Sequence, residues 1–155
     1  MGDHTETIQI DYDPAIISYE ELLQVALAQG DFIGMPISRQ YRSVVLYQNA
    51  HQLKVARNLK IKQLEPLGSF TRAEDYHQKY YLQQSAVAEE FYQRYPDARS
   101  FTDSTAVTRA NGIVGGYVNS ARLEQLVPKL GVTQSARKAL FGMAGKAPAG
   151  CAISN

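Results

Sequence analysis

The chain opens with an alternation of apolar and polar residues, Thr7–Tyr12 (TIQIDY). Ile8, Ile10 and Tyr12 fall on one side and Gln9 and Asp11 on the other, the period of a half-buried strand. Asp13-Pro14 ends it. The next segment, Ser18-Tyr-Glu-Glu21, reads as a capping box: the Ser18 hydroxyl accepts from the Glu21 amide while the Glu21 carboxylate reaches back to the Ser18 amide. Ile17 and Leu22 are placed to staple the entry. With Leu22, Leu23, Val25, Ala26 and Leu27 following and Gly30 suited to the residue past the end, the pattern predicts a helix over 18–29. A Gly- and Pro-containing loop then leads to Ser43–Gln48 (SVVLYQ), whose β-branched and aromatic run fits a strand buried on both faces. Asn49 with Gln52 three residues on resembles a helix start, and Leu53, Ala56 and Leu59 form the packing face of a short helix. Ile61–Leu67 fits either a helix tail or a third strand, with Pro66 favouring an edge or an end. Ala73–Gln84 reads as helical.

After Ser85 the strand pattern disappears. Short amphipathic pieces alternate with Pro96, Gly115-Gly116, Gly131 and Gly142, predicting an all-helical second half. Leu123, Leu126, Val127 and Leu130 make one helical stripe after Ser120. Thr133 is placed to cap a last helix carrying Ala136, Ala139 and Leu140. The tail Gly142–Asn155 has little to pack and is expected to be mobile. The expected class is α+β, with mixed structure over residues 1–85, a helical extension over 86–145 and a flexible tail over 146–155.

Composition narrows the functional classes. The 155 residues carry 16 Lys+Arg against 15 Asp+Glu, a formal charge of +1. That balance provides no strong field for a phosphate backbone or an anionic bilayer, so neither nucleic acid nor membrane is an expected partner. A single cysteine, Cys151, excludes an internal disulfide and a cysteine-rich zinc site. No basic start precedes an apolar run, and no apolar stretch approaches the roughly 18 residues of a spanning helix. A reduced, cytoplasmic setting is the expectation.

Three clusters carry reactive groups, each at an element boundary: Asp3-His4-Thr5-Glu6, Arg39-Gln40-Tyr41-Arg42 and Glu74-Asp75-Tyr76-His77. His4 and Glu6 with Glu74 and His77 have a spacing that permits a metal site. Acid–histidine pairs are also common at helix starts, where the carboxylates face the positive end of the helix dipole, and the metal reading is not adopted. A hydrolytic Ser–His–acid set lacks the G-x-S-x-G elbow.

The order of these clusters has a further meaning. GDHTETIQIDYDPAIISYEELLQVALAQGD, then RQYRSVVLYQNAHQLKVARN, then EPLGSFTRAEDYHQKYYL resembles the central and C-terminal portion of the peptide methionine sulfoxide reductase A family, over about residues 2–83. Residues 86–145 resemble an extension found in divergent members. The resemblance implies a ferredoxin-like α/β sandwich and reduction of the S epimer of methionine sulfoxide, free or in proteins. In that chemistry a cysteine thiolate attacks the sulfoxide sulfur, the oxygen leaves with a proton, and the resulting sulfenic acid is resolved by another thiol and reduced by thioredoxin. No cofactor is implied; dithiothreitol would replace thioredoxin as external reductant. Glu6 corresponds to the family's acid, a buried carboxyl that protonates the leaving oxygen, and Tyr41 to the tyrosine of QYRS that hydrogen-bonds it.

The departures are as informative. The aspartate usually found shortly before QYRS has no counterpart, since Pro36 and Ile37 occupy that stretch, and the H-D-P ending after the first helix is Gln29-Gly30-Asp31. The family's Gly-Cys-Phe-Trp motif, source of the nucleophile and of the pocket for the substrate methyl group, would lie upstream of Gly2. The sequence contains no Trp, and its one thiol, Cys151, stands in the Gly-containing tail as a weak candidate nucleophile. The domain is therefore expected to be N-terminally incomplete and inactive as it stands. The competing readings are a binding or regulatory module on the same scaffold, and a fragment that completes its sheet on another chain.

Overall fold

The structure, a computed structural model, describes residues 4–29 and 38–143. It divides into two compact units, residues 1–71 and residues 72–155, so the boundary falls earlier than residue 85.

In the first unit, helix α1 spans Tyr19–Gln29. Its start follows the expected capping box: Ser18 N–H donates to Glu21 Oε2 at 2.8 Å, Ser18 Oγ donates to the same oxygen at 2.7 Å, and Glu21 N–H donates to Ser18 Oγ at 3.2 Å. Gly30, the expected residue past the helix end, lies outside the described residues. Strand β1 (Val45–Tyr47) is half-buried along its length and shorter than the expected 43–48. Helix α2 (Ala50–Asn58) begins where Asn49 Oδ1 accepts from Gln52 N–H at 2.9 Å, while Gln52 Oε1 accepts from Gln48 N–H at 2.7 Å. It ends with Lys60 N–H on Arg57 C=O, Ile61 N–H on Ala56 C=O and Lys60 at a φ of 60°, a Schellman turn carried by a lysine where glycine is the usual choice. Strand β2 (Leu64–Pro66) settles the ambiguous segment. It pairs in parallel with β1 in the register Val45–Leu64, Leu46–Glu65, Tyr47–Pro66, with α2 as the crossover.

The strand expected over Thr7–Tyr12 does not form. An alternating pattern becomes a strand only where a neighbouring backbone supplies a ladder. Here the Glu6 N–H donates to Gln40 C=O at 3.0 Å, and no ladder of strand pairs follows it among the described residues. Ile8 and Ile10 of the apolar side are exposed, Ile8 at 82%, while Tyr12 is half-buried.

The second unit is helical. A 3-10 turn at Asp75–His77 and helix α3 (Tyr80–Gln83) replace the continuous helix expected over Ala73–Gln84. The break is at Lys79, whose φ of 51° is left-handed and cannot continue a right-handed helix. Helices α4 (Ala88–Arg94), α5 (Ala98–Asp103), α6 (Thr105–Val114), α7 (Ser120–Leu126) and α8 (Gln134–Met143) follow, with a 3-10 turn at Val127–Leu130. The expected stripe of Leu123, Leu126, Val127 and Leu130 thus runs over two elements. Asn119 caps α7 through its side chain, and Thr133 Oγ1 accepts from Ala136 N–H at 3.3 Å to start α8 as expected. Gly142 and Met143, assigned to the tail by sequence, belong to α8.

Helix α6 is the hub. Val107, Ala110 and Ile113, three residues apart, are fully buried and pack with Leu82, Phe91, Leu123, Leu130 and Leu140. Among the described residues of the first unit, only Leu23 and Ala56 are buried apolar side chains, so the core of the molecule sits in the helical unit.

The box at α1 carries a pH prediction. The hydrogen bonds from Ser18 hold the Glu21 carboxyl below the ordinary glutamate value of 4.5. A carboxyl with a depressed folded pKa contributes stability above its unfolded pKa and loses that contribution as pH falls through its folded pKa. We expect the Ser18 amide resonance to titrate below pH 4.5 with a step that vanishes in Glu21→Gln. A pH-independent Ser18 resonance in the parent would refute the box as a titrating cap.

Candidate functional site

Two of the three reactive clusters meet in the first unit. The backbone bond from Glu6 to Gln40 sets the segment after His4 beside the residue preceding Tyr41. Side chains reinforce it: Thr5 Oγ1 donates to Arg39 C=O at 3.0 Å, and Gln40 Nε2 donates to Glu6 Oε1 at 3.0 Å. Arg42 Nε donates to Thr5 Oγ1 at 3.0 Å. The same guanidinium forks onto Glu65, with Nη1 at 2.6 Å from Oε1 and Nη2 at 2.8 Å from Oε2. Such a two-pronged, part-buried pair fixes direction as well as charge. It ties the Tyr41 segment to β2, and through Thr5 to the Glu6 segment.

Glu6 is exposed, in contrast to the buried acid implied by the resemblance. One carboxylate oxygen is engaged by Gln40. Tyr41 is 58% exposed, so it is not a core aromatic at the strand entrance, and its N–H donates to Ser38 Oγ at 3.3 Å. The arrangement offers a carboxyl and a phenol on neighbouring backbone segments, both open to a ligand, with an arginine–glutamate brace behind them. A carboxyl can deliver a proton to a leaving oxygen and a phenol can hydrogen-bond it.

Glu65 and Thr5 are the residues that sequence reasoning missed as parts of this brace. Glu65's role follows from the parallel register that pairs it with Leu46 in the middle of the sheet, with Arg42 three residues before the start of β1, and no local sequence signal marks it.

The third cluster belongs to the second unit. There His77 Nε2 lies 3.9 Å from Glu74 Oε2, both exposed, the His77 ring is tilted 4.2 Å from that of Tyr76, and Asp75 pairs with Arg72. No group of three or more His, Cys, Asp or Glu that could hold a metal occurs among the described residues. Cys151, Pro36, Ile37 and Asp31 lie outside the described residues. No described helix is long and apolar enough to cross a membrane.

The fold is thus a small parallel sheet with its crossover helix followed by a helical unit, and its paired clusters present an acid and a phenol. Residues 1–110 match the family model described as peptide methionine sulfoxide reductase. The chain belongs to that family. It is 32% identical over 151 residues to a peptide methionine sulfoxide reductase of Drosophila melanogaster, an alignment covering 89% of this chain and 61% of that protein. To peptide methionine sulfoxide reductase A5 of Arabidopsis thaliana it is 35% identical over 101 residues, 54% of this chain and 40% of the relative. With the peptide methionine sulfoxide reductase MsrA of a Nitratiruptor species it shares 39% over 93 residues, 49% of this chain and 53% of the relative. The chain therefore spans between 40% and 61% of the length of these relatives. The 89% coverage of the Drosophila alignment leaves too few residues to omit the helical unit, so that unit is shared with at least this relative.

Proposed function

We propose that this chain supplies the proton-donating and oxygen-binding side of a methionine-S-sulfoxide reductase site, on the ferredoxin-like scaffold of its family. The observation that carries the reading is the convergence of the Glu6 and Tyr41 segments through Glu6 N–H to Gln40 C=O and Gln40 Nε2 to Glu6 Oε1. Glu6 protonates the sulfoxide oxygen as it leaves and the Tyr41 hydroxyl hydrogen-bonds it. A thiolate attacks the sulfur and forms an S–S bond while the protonated oxygen leaves as water; a water then attacks the thiol-derived sulfur, the S–S bond breaks, methionine is released with one proton, and the thiol is left as a sulfenic acid. A second thiol converts that to a disulfide and water, and thioredoxin, in a cytoplasmic setting, reduces the disulfide. The substrates are oxidised proteins or free methionine sulfoxide. Since proton donation assists attack and does not replace it, Glu6 and Tyr41 give no turnover without a sulfur nucleophile.

The test is dithiothreitol-driven reduction of methionine-S-sulfoxide by the 155-residue chain, by its Cys151→Ser variant, and by the chain carrying an added N-terminal segment with the Gly-Cys-Phe-Trp motif. Turnover is expected only with the added segment. Activity of the chain alone that disappears in Cys151→Ser would transfer the nucleophile to Cys151, and inactivity of all three would overturn the reductase reading.

The exposure of Ile8, Ile10, Ile16 and Val25 favours a second reading, a non-catalytic scaffold whose sheet is completed by another polypeptide. A mass independent of concentration in light scattering, with no hydrophobic-dye binding, would count against it.

A further inference from the structure

The helical unit contains a cleft of about 200 Å³ between the 3-10 turn at Asp75, α4 and α5. Its volume falls below the roughly 300 Å³ at which pockets for small molecules and cofactors begin, which suits it to one long side chain. Tyr92, Tyr95, Pro96 and Phe101 form its apolar walls, and the Tyr92 and Phe101 rings stack with centroids 4.9 Å apart at 24°. Asp75 and Asp97 are also among the residues that line the cleft, and no lysine or arginine is among the described ones.

The hydrogen-bonding capacity left in the cleft selects the ligand. Gln83 is engaged: Nε2 donates to Asp75 C=O at 2.8 Å and also to Gln78 C=O, and Oε1 accepts from Tyr92 O–H at 2.9 Å. Thr102 Oγ1 donates to Ala98 C=O at 2.8 Å and accepts from Arg72 Nη2 at 2.8 Å. The carboxylates are less committed. Asp97 Oδ1 accepts from Ser100 N–H at 2.9 Å and the carboxyl is also engaged by the Arg99 N–H, while Asp75 Oδ1 receives Arg72 Nη2 at 3.3 Å, so each carboxylate keeps part of its four or so lone-pair sites. Arg72 offsets one of the two negative charges and leaves the other. The Ser100 hydrogen bonds also hold the Asp97 carboxyl below its ordinary range, which keeps it ionised. A ligand must therefore donate hydrogen bonds, carry positive charge and present an apolar or planar stem to aromatic rings. Anions and phosphates are excluded on the same ground.

We propose that this cleft binds a basic side chain of a partner polypeptide, arginine above lysine. A guanidinium is planar, carries five donors, stacks on aromatic faces and forks onto a carboxylate, whereas an ammonium is a strongly hydrated point charge. Arg72, which already places its guanidinium on Asp75, Ala98 C=O and Thr102, three residues that line the cleft, shows that the local acceptors suit this group. The site is independent of Glu6 and Tyr41 and gives the helical unit a role in holding a polypeptide.

The experiment is an amide NMR titration of the full chain with acetyl-Gly-Arg-Gly amide, beside the peptides in which lysine or the neutral isostere citrulline replaces arginine. Saturable shifts at Tyr92, Tyr95, Asp97 and Phe101 are expected with arginine, weaker ones with lysine and none with citrulline. Asp97→Ser, which keeps a side-chain cap for α5, should weaken the arginine peptide about tenfold, the worth of one charge-assisted hydrogen bond. Adding Asp75→Asn should abolish saturation. Equal responses to arginine and citrulline, or no saturation with arginine, would overturn the proposal, and equal affinity for lysine would overturn the preference for a planar cation. The peptide comparison uses the parent chain, so it decides the matter even if a variant fails to fold.

Discussion

Phe91→Ala is expected to lower the stability of the helical unit by about 3–5 kcal/mol. Phe91 is 1% exposed and packs within the cluster organised by α6, so its removal loses both the transfer free energy of the ring and the contacts around the cavity left behind. For a unit of this size each kcal/mol moves the midpoint by roughly 4–8 °C, which puts the drop at more than about 10 °C in thermal unfolding. Ile8→Ser supplies the contrast: an apolar side chain of similar character, 82% exposed, whose replacement should change stability by less than about 0.5 kcal/mol. Equal effects of the two substitutions would show that the core has been placed in the wrong unit. Because the two units are separately compact, following resolved resonances of Ile113 and of Val45 reports which unit unfolds.

That contrast also marks the limit of what was legible in the sequence. Local chemistry was readable: the Ser18–Glu21 box, the Asn49 cap and the Thr133 cap each depend on residues within a few positions of one another, and each forms. The alternation of Ile8, Ile10 and Tyr12 predicted a strand that does not form, since a strand is a property of two backbones. Lys79 interrupted a helix that its neighbours favoured, because a left-handed lysine carries no sequence signature of the kind that glycine provides. At the site, Glu6 and Tyr41 were named from the resemblance and the structure sets their segments side by side. The brace between them, Arg42 to Glu65 and Thr5, could not be read, since it depends on a strand register settled only in three dimensions. The same holds for the cleft: Asp75 and Asp97 are far apart in sequence and share walls only after α4 and α5 pack.

In the chain carrying an added segment with the Gly-Cys-Phe-Trp motif, Glu6→Gln is expected to lower kcat for methionine-S-sulfoxide by roughly 10²–10⁴-fold, the range attributable to a positioned general acid. Glutamine preserves an oxygen to accept from Gln40 Nε2, so the contact that joins the two segments survives while the transferable proton is lost. Substrate binding should change little, placing the loss in kcat rather than KM. On the proposed roles, Tyr41→Phe would remove a hydrogen bond to the sulfoxide oxygen and no proton source, and should cost less. Arg42→Lys separates chemistry from positioning. It keeps the charge but gives up the fork onto Glu65, so the Tyr41 segment loosens and the rate falls by less than in Glu6→Gln. An unchanged rate in Glu6→Gln would remove this carboxyl from the reaction. A loss of equal size in Arg42→Lys would make Glu6 a structural partner of Gln40 and not a proton donor.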